Sequence, residues 1–163
     1  LRWIVDDVGR DDVAAAREIV SRWAAAHDGS VDAADDRWTV MLAGEHKRTV
    51  GVTLSIGDHT LTAQSFFMRA PDEAPGRVYE LLLRRHVRSY TLRFALLPDG
   101  DVVLVGVLPL RAVFDEELDR MLGQLLAVAD ETFDEALRRG FATYISREQA
   151  WRAQAGLPRN PIT

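Results

Sequence analysis

An α+β fold is predicted for this chain: a curved, antiparallel five-stranded sheet packed with helices, in the order α-β-β-β-α-β-β-α. Three observations lead there. Residues 11–27 and 115–139 repeat apolar side chains at helical spacing. Between positions 49 and 56, Val50, Val52, Leu54 and Ile56 alternate with Thr49, Gly51, Thr53 and Ser55, the period of a half-buried strand. The strands come in runs joined by short turns rather than singly between helices, which favours an antiparallel sheet over a doubly wound parallel one.

The first helix, 11–27, places Val13, Ala16, Val20, Trp23, Ala24 and His27 on one face, with Asp11 and Asp12 at the end where the helix dipole favours negative charge. DGSVDAADD then reads as a loop. Residues 38–43 form the first strand; GEHK leads into the second, 49–56, and Gly57-Asp58 into the third, 60–68, making a meander. A second helix, 75–88, starts on Pro75, whose missing N–H suits a first turn. Its broad apolar stripe is Tyr79, Leu82, Leu83, His86, Val87 and Tyr90. PDGD joins strand 91–97 to strand 102–108, which is apolar on both faces and so reads as central. The long helix 115–139 leads with Asp115, Glu116 and Glu117 and closes with Arg138 and Arg139 before Gly140, both in accord with its dipole. A short helix near 146–155 follows. One domain, 1–155, is expected, burying roughly 68–70% of the unfolded surface, with 156–163 a loose tail.

With no cysteine, structural disulfides, thiolate nucleophiles and cysteine-ligated zinc are excluded. No apolar run approaches the ~20 residues of a membrane span, and no basic-then-apolar leader opens the chain, so a cytoplasmic protein without membrane association is expected. The net charge of -5 is segregated: nine acidic and four basic side chains in 1–36, eight and one in 115–136, and five arginines against Glu148 in 137–163. An acidic whole weakens non-specific attraction to nucleic acid. Lys47 is the only lysine against nineteen arginines and Asn160 the only asparagine, usage that points to a GC-rich genome.

Glu45-His46 and Asp58-His59 resemble metal-ligating pairs, but they cap opposite ends of one strand, on the order of 30 Å apart. One ion with ligands at ~2–2.2 Å cannot join them, so they read as polar turn residues. His27 and His86 fall on or beside apolar helix faces and read as boundary residues, and DEELD as helix N-terminal charge. Phosphate loops, a nucleophile elbow and a zinc-protease helix are all missing from the sequence; no cofactor or metal is expected.

Two charged constellations remain. In SFFMRAPDE, residues 65–73, Arg69 would orient an anionic substrate with Asp72 or Glu73 as general base. The competing reading is a joint, in which Arg69 pairs with a carboxylate while Asp72 and Glu73 prepare the following helix. Arg84, Arg85 and Arg88 form either an anion patch, nucleic acid included, or the cationic last turn of a helix. There is also an apolar surplus. Alternation puts Phe66 and Met68 opposite Phe67, and sets Val103, Val105 and Val107 against Val102, Leu104 and Leu108. Both faces near one end of the sheet want cover, from helices or from a dimer or peptide partner around Phe66, Met68 and Leu104.

The runs WTVMLAGEHKRTVGVTLSIGDHTLTAQSFFMRAPDE, VYELLLRRHVRSYTLRFALLPDGDVVLVGVLPL and ELDRMLGQLLAVADETFDEALRRGF resemble, in order, actinobacterial members of the YbjN family of bacterial sensory transduction regulators, over residues 38–151. The resemblance implies a fold similar to class I type III secretion chaperones, small dimeric α+β proteins that bind extended partner segments, and offers no catalytic residue to carry over. The expected function is a non-catalytic, chaperone-like or regulatory interaction module, homodimeric, with an unidentified protein or peptide partner. The alternatives are an enzyme using the Arg69 site and a nucleic-acid-binding regulator.

Overall fold

The computed structural model describes residues 8–32 and 36–162. The start of the expected domain, 1–7, part of the DGSVDAADD loop, 33–35, and Thr163 lie outside the described residues. The elements in chain order are α1 (Val8–Ala26), β1 (Ser30–Asp32), β2 (Arg37–Ala43), β3 (Thr49–Ile56), β4 (Thr60–Met68), α2 (Pro75–Arg85), β5 (Leu92–Leu96), β6 (Val102–Pro109), α3 (Asp115–Gly140) and α4 (Ala142–Gln154). Short 3₁₀ turns at His86–Arg88 and Leu110–Ala112 follow α2 and β6.

The strands form one antiparallel sheet in the order β1-β2-β3-β4-β6-β5. The class is the expected one, with one strand more than the sequence suggests. Ser30, Val31 and Asp32, read as loop, pair with Thr39, Trp38 and Arg37; three residues are too few to display a period of two. As expected, β6 is an interior strand, between β4 and β5.

Burial follows the alternation. Trp38, Val40, Val50, Val52, Leu54, Leu61, Ala63 and Phe67 project from β2, β3 and β4 against Ala16, Val20 and Ala24 of α1 and Leu118, Leu122, Leu125 and Ala129 of α3. Each valine, leucine or phenylalanine among them contributes about 1.5–3 kcal/mol by leaving water. The opposite face is set by Thr39, Thr53, Thr62 and Gln64, which are half-buried or exposed. These side chains need no cover, and the helices pack on the apolar face.

The two sheet-surface candidates Met68 and Leu104 are corrected by the register. Pairing between β4 and β6 shifts between Phe66 and Met68, so the bulge turns Met68 to the same side as Phe67. Leu104 pairs with Ser65, not Phe66. Met68 and Leu104 are 3% and 1% exposed and belong to the core, whereas Phe66 remains 53% exposed.

Candidate binding site

Pairing between β3 and β4 covers only Thr53↔Gln64 to Ile56↔Leu61, while β4 continues beside β6 as far as Met68. Beyond Gln64 the two strands part. A cleft of about 460 Å³ opens beside the departing end of β4, walled by Phe66, Phe67 and Met68, by Phe133 and Leu137 of α3, by Phe141, and by Tyr144 and Ile145 of α4.

Lys47, in the β2–β3 hairpin, sits at this cleft. The hairpin is tied to α3 through Asp130, whose Oδ1 accepts the N–H groups of His46 at 2.9 Å and Lys47 at 2.8 Å. Position 44 must be glycine for this clamp, because a Cβ there would lie 2.5 Å from the same oxygen. His46 Nδ1 adds a contact to Asp134 at 3.2 Å. So placed, Lys47 Nζ donates to the carbonyls of Phe66 at 2.6 Å and Phe67 at 2.7 Å. It also lies 5.6, 5.4 and 5.1 Å from the ring centroids of Phe66, Phe67 and Phe133. Burial pulls its pKa from the ordinary 10.5 to about 8, against the carbonyls and ring faces that favour the ammonium form. The sequence displayed Lys47 only as a lone lysine; its role needs a carboxylate 83 residues away.

The charges of SFFMRAPDE are otherwise engaged. Arg69 Nη1 and Nη2 donate to the two oxygens of Asp72, both at 2.6 Å, with the guanidinium 4.1 Å above the Phe141 ring. These bonds hold the Asp72 carboxyl below the usual carboxylate range. Glu73 turns elsewhere: its Oε1 accepts the N–H of Thr143 at 2.8 Å, and its own N–H donates to the Gly140 carbonyl at 3.0 Å. Glu73 therefore serves the start of α4, not α2. The residue before α2 is Ala74, in a left-handed conformation with no side-chain cap.

Arg84, Arg85 and Arg88 line a second cleft of about 520 Å³ between α2 and α3, together with Arg139, Glu131 and Glu135. Arg84 pairs with Glu80 at 2.6 Å, and Glu135 forms ion pairs with both Arg85 at 3.6 Å and Arg139 at 2.5 Å. His86 Nε2 accepts the Phe94 N–H at 2.7 Å, and burial lowers its pKa. His27 stacks on Trp23 at 3.8 Å. Both histidines are engaged within the fold. Among the described residues, no group of three or more His, Cys, Asp or Glu side chains is placed to hold a metal ion, and no helix is long and apolar enough to cross a membrane.

A third surface is apolar. The α2 stripe divides: Leu82 is buried, as are Val78 and Leu81 outside it, whereas Leu83 is 64% and Val87 88% exposed, and Tyr90 and Leu96 are exposed as well. Leu83 and Leu96 line a cleft of about 280 Å³ whose walls also include Tyr79, Leu82 and Phe94.

A family model, YbjN, described as "Putative bacterial sensory transduction regulator", matches residues 16–138. The chain belongs to the YbjN family. An uncharacterized Mycobacterium tuberculosis protein is 43% identical to this YbjN chain over 117 residues, 72% of the chain and 64% of the relative, so the match spans less than two thirds of that protein. One from Mycobacterium leprae is 36% identical over 126 residues, 77% of this chain and 68% of that protein. Among solved structures, a chain of the ExsC–ExsE complex is similar at TM-score 0.55 and 19% identity, covering 72% of this chain and 90% of that one. A chain from the Yersinia pestis type III secretion chaperone SycH in complex with a fragment of YscM2 is similar at TM-score 0.52 and 17% identity, covering 70% and 96%. The YbjN chain thus has the α+β fold found in these chaperone complexes. Helix α4 and the residues after it lie beyond the family match.

Proposed function

We propose that this YbjN protein is a cytoplasmic, non-catalytic interaction module, chaperone-like or regulatory, that forms a homodimer and binds a segment of another protein. The observation that carries the reading is the run of large apolar side chains left exposed between α2 and β5, Leu83, Val87, Tyr90 and Leu96, of which Leu83 and Leu96 line one cleft. Contiguous exposed apolar patches mark interaction surfaces, and a self-complementary patch closes into a two-fold dimer. Likeness to chains from chaperone complexes, which contain partner proteins, supports the second half. Phe66, exposed at the Lys47 cleft, is the remaining sheet-surface contact for a partner. A catalytic reading is disfavoured by the Arg69–Asp72 pair and the capping role of Glu73. A nucleic-acid reading is disfavoured by the glutamates that engage Arg84 and Arg85.

Sedimentation equilibrium tests the dimer. The expected mass is twice the 18.2 kDa of one chain, and Leu83→Asp with Val87→Asp should yield a monomer with an unchanged far-ultraviolet circular dichroism spectrum. A strict monomer of the unaltered chain at tens of micromolar would refute the homodimer. Affinity capture from the native cell, read by mass spectrometry, should return one stoichiometric protein partner.

A further inference from the structure

The C-terminal residues expected to be a loose tail run back along α4. Asn160 and Ile162 are half-buried while Arg159 and Pro161 are exposed, and the chain bends at Pro161, where the Ile162 N–H donates to Asn160 Oδ1 at 3.0 Å. Gln149 brackets the backbone of this segment. Its Nε2 donates to the Asn160 carbonyl at 2.9 Å and the Ile162 carbonyl at 3.4 Å, and its Oε1 accepts the Asn160 N–H at 3.2 Å. Asn160 Nδ2 donates to Glu148 Oε2 at 2.8 Å. Arg152 holds the other oxygen of Glu148 at 2.9 Å and reaches the Pro158 carbonyl at 3.2 Å. Two side chains of one helix, Gln149 and Arg152, thus read the backbone of the segment and a third, Glu148, reads the Asn160 carboxamide, the way a groove reads a peptide. The side chains that turn inward, Asn160 and Ile162, line the same apolar cleft as Lys47. Helix α4 has no fully buried residue, so its packing against the rest of the chain is that of a cleft wall.

We propose that the cleft between β4 and α4 is a binding groove for a partner segment carrying a carboxamide side chain followed two residues later by an aliphatic one, and that residues 158–162 occupy it in cis until a partner displaces them. The proposal deepens the interaction-module reading and rests on it. Selectivity for the carboxamide comes from Glu148, kept ionised by its bonds to Arg152 and Asn160. It accepts from an amide and repels a carboxylate in the same place. A longer segment gains contacts the tail lacks, because the cleft continues to the β4 edge where Lys47 holds the Phe66 and Phe67 carbonyls. The described hydrogen bonds of the tail go to α4 or to itself. A tethered occupant competes at an effective concentration on the order of millimolar, so displacement requires those extra contacts.

The test uses the full chain with the tail released by Asn160→Asp and Ile162→Asp, and a fluorescein-labelled peptide with the sequence of residues 156–163, GLPRNPIT, followed by anisotropy. Saturable binding to the release variant is expected, weaker by roughly tenfold or more for the unaltered chain, and lost when Gln149→Ala is added. A peptide with Asp in place of the Asn should bind the release variant at least about tenfold more weakly. Absence of saturation on a release variant that keeps its native circular dichroism spectrum overturns the groove, as does equal binding to both chains. Should the release variant not fold, peptide added to the unaltered chain at several times the roughly millimolar effective concentration of the tethered tail, where it competes without extra contacts, should move the Ile162 methyl resonance to its free position; an unmoved resonance overturns the proposal. Failure of the peptide while the unaltered chain still sediments as a dimer removes the groove and leaves the interaction-module reading intact.

Discussion

Lys47 and His86 are both pulled toward neutrality by burial, and each makes a pH-dependent contribution of known sign. The unfolded chain keeps a Lys47 proton up to 10.5, whereas the folded chain releases it from about 8. Between those values the unfolded state binds more protons, so stability rises with pH across the window. The urea midpoint is expected to climb between about pH 7.5 and pH 10, and Lys47→Met should flatten that climb. Because Lys47 is the only lysine, the ¹³C resonance of its dimethylated amine should titrate well below that of a free lysine; a midpoint near 10.5 would contradict the buried placement. His86 accepts the Phe94 N–H through Nε2 and must be neutral there. Its pKa lies below the ordinary 6.5, so its contribution is complete above 6.5 and is lost as pH falls through the folded value. His86→Gln should remove that acid-side loss from the urea midpoints. His86 was legible as a boundary residue on its helix stripe. The aromatic surround of Lys47 was not, because it depends on Asp130 of α3 and on the parting of β3 from β4, neither of which a local pattern records. Met68 was misplaced for a related reason: period-two reasoning cannot see a bulge.

At the scale of elements, the longest periodic segments were read within a few residues, since their side-chain repeat is a local property. The joints between them were not. Glu73 looked like preparation for α2 and instead satisfies an N–H at the start of α4, a helix whose first residues follow it by almost seventy positions. Glu73→Ala should cost about 1 kcal/mol, typical of a lost N-terminal cap, measured by urea unfolding, and should speed amide exchange in α4. Asp72→Asn, by contrast, breaks an exposed pair with Arg69 and should leave α4 exchange unchanged. Gly44→Ala is expected to destabilise by about 1–3 kcal/mol, the range for overpacking, and to move the Lys47 resonance, since the Asp130 clamp cannot close on a Cβ.

For the molecule as a whole, stability should be graded from the middle of the sheet outward. β3, β4 and β6 face the buried side chains of α1 and α3, whereas α4 buries no residue fully. Hydrogen exchange read by mass spectrometry should rank β4 and β6 slowest and α4 with the following residues fastest; equal protection would contradict the grading. The two edges of the sheet carry a consequence for how copies of the chain associate. β1 has three residues and β5 five, with the charged Arg93 exposed on β5, while the eight- and nine-residue strands are interior. Backbones offer little template for strand-to-strand growth, the route by which sheets polymerise and aggregate. In the proposed homodimer, contact through side chains such as Leu83 and Leu96 ends when one patch has met another, so raising the protein concentration should fill a single closed species and not nucleate fibres.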